Sequence, residues 1–506
     1  MSVEKTESEC KNGWIYDENG VEFSNDRSII SEWNLVCSRN GLAELSQTLV
    51  MIGQGIGAFV FPGLADKYGR KPTHVLCHCM LFIVTLATAF APNYTAFAAF
   101  RMLTGGLQQG TALTLVILNL ELLPTKTRAY VEVFGLLFWS TGIAIITPIA
   151  YILKDKSWRY FQICLACLSS WALIEWWLVD ESLHWLIANG RTKDARTIIM
   201  KACRLNKKNF DTVSSESGFN RFEMKTTTVV ETIVEANQEL LSEADEMRIN
   251  EMRINGMSSS GLTAQVKSYT ILDLVKSRRL LMTSLIIWFA WATNNLTYYG
   301  LMMVSSTLAG NRFLNFFLGS IVEYPAALCE WYMLNRYGRK ATSMFFHVVC
   351  GLSLIIATVL VTSTGDNESF MVASTVFTLI GKFAITGSWS TLFLYTPELY
   401  PTNLRNVGIG IASAASRIGG MISPFSRNLA DAVAWGPGLV FGIMCAVVSV
   451  SLLWVPETNQ YELPQTIEEC EDWYRQNQLQ LRCCHRKDSN VCVEKGTSEE
   501  DAQDKK

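Results

Sequence analysis

Seven ionisable side chains interrupt otherwise apolar runs of this 506-residue chain: Arg101, Glu132, Glu175, Glu323, Glu330, Lys382 and Arg417. A charge inside a hydrocarbon span is costly, so each is expected to face the protein interior, a water-filled path or an opposite charge. Glu132, near a span end, and Glu330, one turn from an inner end, fit helix-end pairing. Glu323 is mid-span and followed by Pro325, which leaves a carboxylate that a cation can approach. Arg417 sits among Gly, Ala and Ser, where small neighbours let a ligand or helix come close. One acid and one arginine suit a zwitterion, although the two could simply neutralise each other. Trp291 and Tyr298, seven residues apart, share a helix face, and Trp389 lies at a comparable place on its own span. Such rings attract a quaternary ammonium by ~0.5–2 kcal/mol each. With 15 Trp and 16 Tyr in the chain, packing against lipid or other helices is the competing account of all three.

Other chemistries find little footing. His74, Cys77, His78 and Cys79 mimic metal-ligand spacing, yet they open an apolar helix, and they read as packing residues rather than a metal centre. Cys164–Cys167 is a CxxC within a span, and most of the 14 cysteines fall in apolar stretches where a reduced, packed thiol is the default. Cys10 and Cys37 alone lie in a polar segment that could be extracellular, where they could pair with each other or with other partners. No GxxxxGK[ST] loop occurs, which argues against ATP-driven pumping. The five histidines have no plausible nucleophile partner, so the chain does not read as an enzyme, and no cofactor is called for.

The elements that must position these residues are membrane spans. The chain is 49% hydrophobic and 18% charged, with a formal net charge of −3, and apolar stretches of about twenty residues recur. Near-neutral charge and the lack of a basic, aromatic-laced stripe argue against nucleic acid as a partner. We read eleven helical spans, at 45–64, 74–91, 96–123, 131–152, 161–179, 280–304, 313–334, 341–361, 370–395, 407–425 and 435–455. Barrel strands would be half as long and alternating. The expected domains are an N-terminal segment 1–40, a five-span bundle 41–179, a cytoplasmic loop 180–279, a six-span bundle 280–455 and a tail 456–506. If the loop after the first span is cytoplasmic, short inner loops carry nine Lys or Arg and short outer loops five, with fifteen more in 180–279. That bias puts the N-terminus outside and the C-terminus inside. The tandem EMRIN at 246–255 reads as low complexity. Asn367-Glu-Ser is an outer-loop glycosylation sequon, whereas Asn93-Tyr-Thr lies too close to the membrane. The tail reads as a short amphipathic stretch and a charged, disordered end.

Two pairs of segments repeat. Asp66-Lys-Tyr-Gly-Arg-Lys-Pro72 returns as Asn335-Arg-Tyr-Gly-Arg-Lys-Ala341, 269 residues later, and Glu121-Leu-Leu-Pro-Thr-Lys-Thr-Arg128 returns as Glu398-Leu-Tyr-Pro-Thr-Asn-Leu-Arg405, 277 residues later. Both fall on inner loops in the same order, the pattern of two homologous bundles with a substrate cavity between them near mid-membrane. Gly69 and Gly338 permit the tight turn. The basic side chains Arg70 and Arg339 hold the loops in the cytoplasm and can pair with acids. Pro124 and Pro401 end helices, and Arg128 and Arg405 are expected to reach back to Glu121 and Glu398. A pure topology-anchor role is the plainer account of these loops. Two spans precede the second repeat loop and only one precedes the first, which predicts a missing first helix relative to a twelve-helix ancestor.

The YGRK loop resembles the motif of the major facilitator superfamily, and the fuller set resembles solute carrier family 22, the organic cation, carnitine and organic anion transporters. The resemblance runs from about residue 10 to 470. It includes Gly13–Asp17 with Ser31–Cys37, Gly63–Lys71, Glu121–Arg128, Tyr298–Leu301, Val322–Ala327, Gly381–Phe383, Tyr395–Thr402, Ala415–Gly419 and Leu463–Glu468. It implies an all-α major facilitator fold with about 11 transmembrane helices where the family has 12, and residues 10–37 as the end of an extracellular domain. One departure is Asp180-Glu-Ser-Leu-His-Trp-Leu186, where the family usually has Pro-Glu-Ser-Pro-Arg-Trp-Leu. Cation-specific members carry an acid at the Arg417 position, while carnitine and anion members carry arginine. Anion members commonly have a basic residue where this chain has Ala327. Trp291 and Tyr298 match the spacing of family cavity residues.

The expected function is alternating-access transport of organic cations or carnitine-like zwitterions across the plasma membrane, with Na+ or H+ as candidate coupled ions and the lipid bilayer as surroundings. Organic anion transport, resting on Arg417 and Lys382, is the second transport reading. A truncated isoform or gene-model fragment that does not transport is the reading from another class.

Overall fold

A computed structural model describes residues 17–18, 21–22, 27–122, 128–216, 277–306, 308–363, 368–401, 404–459 and 467–477. Cys10, Pro124, Asn367, the EMRIN tandem and residues beyond 477 lie outside the described residues, as do the side chains of Arg128 and Glu132. Among the described residues the secondary structure is helical apart from one antiparallel pair of two-residue strands, β1 (Asp17–Glu18) and β2 (Val21–Glu22). Each expected span is occupied by helix. Seven helices among the described residues are long and apolar enough to cross a membrane.

The chain divides into two compact units. Unit 1 comprises Met1–Gly135 and Pro148–Tyr269, and unit 2 comprises Leu136–Thr147 and Thr270–Lys506. Unit 1 opens with α1 (Ile29–Glu32), followed by α2 (Gly41–Tyr68), α3 (Arg70–Ala89), α4 (Tyr94–Leu122) and α5 (Arg128–Ile152), whose middle belongs to unit 2. Then come α6 (Trp158–Leu168), α7 (Ala172–Leu178), α8 (Leu183–Ala188), α9 (Thr192–Leu205) and α10 (Phe210–Glu216). Helices α2 and α4 pack backbone to backbone: a Cβ on Gly53 would stand 2.0 Å from the Met102 carbonyl oxygen. Small residues permit this approach, which supplies dispersion contacts where lipid offers no hydrophobic driving force.

Unit 2 contains α11 (Arg278–Val304), α12 (Arg312–Ile321), α13 (Glu323–Tyr337), α14 (Arg339–Ser363) and α15 (Glu368–Leu399). After these come α16 (Arg405–Ile422), α17 (Ser426–Ala432), α18 (Gly436–Ser451) and α19 (Ile467–Asn477). Its core joins Phe346, Cys350, Ala384, Ile385, Phe441 and Cys445.

Two expected spans are broken. The run 161–179 divides into α6 and α7 around Ser169–Trp171, where backbone bonds tighten to three-residue turns. The run 313–334 divides at Val322, because Pro325 has no N–H for the Ile321 carbonyl and its ring crowds that carbonyl. The inner loops are shorter than the repeat motif suggests. Gly69 alone separates α2 from α3, and Gly338 alone separates α13 from α14. The amphipathic stretch expected after 456 is helix α19. Helix α19 is docked, with Cys470 and Tyr474 buried and the Tyr474 hydroxyl donating to the Leu399 carbonyl at 2.6 Å.

Candidate functional site

Pro325 breaks the span so that Glu323 begins α13, and its carboxylate is 1% exposed. A buried carboxylate must be satisfied by donors or a counter-charge, and unit 2 supplies both. Tyr298 of α11 donates its hydroxyl to Oε1 at 2.8 Å, and Ser140 donates to Oε2 at 2.7 Å. Trp139 donates its indole N–H to the Tyr298 hydroxyl at 2.9 Å, which orients the phenol, and Thr141 shares a 2.7 Å hydrogen bond with Tyr324. Lys382 of α15 places Nζ 3.2 Å from Oε1 and 3.1 Å from the centre of the Tyr298 ring. The ammonium therefore sits on a carboxylate and an aromatic face at once. A small cavity adjoins the pair, lined by Ile143, Leu301, Phe316, Ser320 and Thr378 beside Glu323 and Lys382.

The acid thus pairs with Lys382. Glu323 takes its hydrogen bonds and ion pair from Tyr298, Ser140 and Lys382. Arg417 lies half-buried on α16, with the Tyr299 phenol in its electrostatic reach. Trp291 and Trp389 do come together, with ring centres 5.7 Å apart, and the Phe393 ring centre lies 4.6 Å from that of Trp291 with the planes tilted by 52°. The Trp291 indole N–H is used on the Thr396 hydroxyl at 2.8 Å. That trio forms an aromatic wall on α11 and α15, two turns along α11 from Tyr298.

The repeated motifs form two closely similar networks, one in each unit. In unit 1, Arg70 pairs with Asp66 at 3.0 Å and with Glu121 at 3.2 Å. Gly69 adopts φ +111°, which lets the Arg70 and Lys71 N–H groups both donate to Glu181 Oε1, at 3.0 and 3.1 Å. In unit 2, Arg339 pairs with Glu398 at 3.1 Å. Gly338 adopts φ +93°, and the Arg339 and Lys340 N–H groups donate to Glu457 at 2.9 and 3.0 Å. Each carboxylate caps the positive end of a helix. The expected reach of Arg405 to Glu398 is not made. Arg405 donates instead to the Pro397 carbonyl at 2.9 Å, since Glu398 is already taken by Arg339 and the Thr458 hydroxyl.

Glu181 and Glu457 were not singled out from sequence as a matched pair, yet a signal exists. Glu181-Ser182 and Glu457-Thr458 are 276 residues apart, in step with the other two repeats. Trp139 and Ser140 carried no such signal, because a serine and a tryptophan in an apolar span look like packing.

Comparison with known proteins adds three findings. The family model described as "Sugar (and other) transporter" matches residues 24–469. Among curated proteins, the chain is 31% identical over 474 residues to an organic cation transporter protein of Drosophila melanogaster, covering 93% of this chain and 79% of that one. It is 26% identical over 472 residues to solute carrier family 22 member 6-B of Xenopus laevis, covering 93% and 77%. It is 29% identical over 468 residues to organic anion transporter 3 of Mus musculus, covering 92% and 78%. Among solved structures, the inward-open xylose transporter XylE from E. coli matches with a TM-score of 0.59 at 16% identity, covering 86% of this chain and 90% of that one, a likeness of fold.

Proposed function

The chain belongs to the sugar (and other) transporter family, in its solute carrier family 22 branch of organic cation and anion carriers, and on that premise we propose that it carries organic cations or carnitine-like zwitterions by alternating access. The observation that carries this reading is the occupied cation seat in unit 2. Glu323 and the Tyr298 ring hold an ammonium, that of Lys382, in the arrangement a substrate ammonium would need. A substrate cation entering that seat displaces Lys382, and the freed lysine can meet a carboxylate on the same substrate. The lining supports a zwitterion for that reason. The family resemblance supports placement in the plasma membrane, and the loop charges support an N-terminus outside and a C-terminus in the cytoplasm.

The test is uptake by the purified chain in liposomes of radiolabelled carnitine, tetraethylammonium and an aromatic carboxylate, with imposed Na+ or pH gradients to read the coupled ion. Carnitine or tetraethylammonium uptake that Glu323→Gln abolishes is the expected outcome. Uptake of the carboxylate alone, lost in Arg417→Glu and kept in Glu323→Gln, would replace this reading with anion transport. That second reading draws on Arg417, Lys382 and the similarity to organic anion transporter 3.

A further inference from the structure

Unit 1 holds a second buried glutamate that the transport reading does not use. Glu175 is 1% exposed, and the break between α6 and α7 turns it toward α3. His74 and His78, four residues apart on α3, present one face to it. His74 Nε2 lies 2.8 Å from Oε1, and His78 Nδ1 lies 2.7 Å from Oε2. The far nitrogen of His78 meets the Ser169 hydroxyl at 3.1 Å.

The surroundings of His74 determine what lies between the ring and the acid. Its Nδ1 is 3.0 Å from the Thr111 carbonyl oxygen, which can only accept. It is also 3.0 Å from the Thr114 hydroxyl, whose hydrogen is directed at the Gly110 carbonyl at 2.7 Å. Nδ1 therefore carries a proton, and Nε2 faces a carboxylate oxygen across a gap that a second proton or a metal ion must fill. Two electron-pair donors 2.8 Å apart need a positive charge shared between them. No Lys or Arg among the described residues pairs with Glu175.

The three donor atoms lie within 4.8 Å of one another, and all three residues are buried. Two imidazoles and a carboxylate, with one imidazole steered by a backbone carbonyl on its outer nitrogen, match the donors and outer hydrogen bond of a zinc-type site. We propose that His74, His78 and Glu175 bind one divalent transition-metal ion, zinc by ligand type, and that the ion ties α7 to α3. Mixed nitrogen and oxygen donors favour zinc over magnesium or calcium, which prefer all-oxygen shells. Three protein donors leave a fourth position for water or an anion. The neighbouring thiols stand outside the donor set, and Cys79 is directed at the Ala172 carbonyl at 3.5 Å.

The test uses the full chain purified in detergent without chelator, equilibrated with zinc or cobalt and desalted. One zinc per chain, a tetrahedral cobalt absorption band and a thermal midpoint raised by zinc and lowered again by chelator are expected. His78→Asn and Glu175→Gln should each weaken zinc binding by at least about tenfold, and Cys77→Ala should leave it unchanged. Sub-stoichiometric zinc in the unaltered chain, or equal binding by His78→Asn, overturns the proposal. So does a thermal midpoint that follows pH but not zinc, the behaviour of a triad held by a shared proton.

Discussion

At the scale of single residues, Lys382 is the side chain whose removal is most informative. Lys382→Ala leaves Glu323 as a buried carboxylate without its counter-charge, and breaking such a pair costs about 3–5 kcal/mol. The expected result is a strongly lowered thermal midpoint that millimolar methylammonium restores, because a small free cation can fill the vacated seat over Tyr298. Restoration by sodium acetate to the same degree would mean that Glu323 and Tyr298 do not form a cation seat. Gly338 gives a second residue-scale prediction. At φ +93° a side chain is strained by about 1–3 kcal/mol, and a Cβ there would stand 2.8 Å from the Glu457 carboxyl. Gly338→Ala should lower the unfolding midpoint, while Gly135→Ala, within a helix with nothing near its Cβ, should raise stability by ~0.5–1 kcal/mol. Glu323 was legible in sequence as a charged residue before a helix-breaking proline. Its true partner was not, because a span sequence shows that Lys382 is buried without showing which acid it meets.

At the scale of elements, the docked helix α19 carries a chemical prediction. Burial pushes the Cys470 thiol up to about 12, so at neutral pH it stays protonated and poorly nucleophilic. Maleimide should label exposed Cys37 quickly and Cys470 slowly. Deleting the Tyr474 hydroxyl by Tyr474→Phe should speed Cys470 labelling, since the bond to Leu399 is one of the holds on α19. The sign of the pH effect follows from the raised value. A protonated thiol favoured by the fold adds stability below about 9, its ordinary value, and that stability is lost as pH climbs from there toward 12. Cys470 should therefore become accessible over that window, and accessibility that instead rose on acidification would contradict a buried neutral thiol. The helical character of the expected spans was legible because runs of about twenty apolar residues read as membrane-spanning helices. The two breaks were less so. Pro325 announces one, but nothing in Ser169-Ser-Trp171 distinguishes a turn from helix, since serine is common in both.

At the scale of the whole molecule, the duplicated networks predict how stability is apportioned. Glu181 and Glu457 each accept two backbone N–H bonds from the helix start that follows the repeat glycine, besides those from their own chain neighbours, and they share no partner. Glu181→Gln and Glu457→Gln should each destabilise the chain by roughly 1–3 kcal/mol. Their effects should add to within ~0.5 kcal/mol in the double variant. Non-additivity well beyond that, measured by denaturant unfolding in detergent, would show that the two caps act as one device. The two-bundle fold was legible from the YGRK and Glu-x-x-Pro-Thr repeats because homologous copies must keep the same turn and the same pairing chemistry. The third repeat, Glu181-Ser182 with Glu457-Thr458, escaped notice because two residues carry too little pattern on their own.

The bond between Tyr474 and the Leu399 carbonyl also sets a schedule for synthesis. Its partners are 75 residues apart, so at roughly 5–20 residues per second the end of α15 waits several seconds on the ribosome for its donor. A message that stops before residue 467 would deliver every span of unit 2 and still leave that carbonyl and the buried faces of Cys470 and Tyr474 without their mates. Such a product is a candidate for retention and degradation rather than a carrier with a trimmed tail.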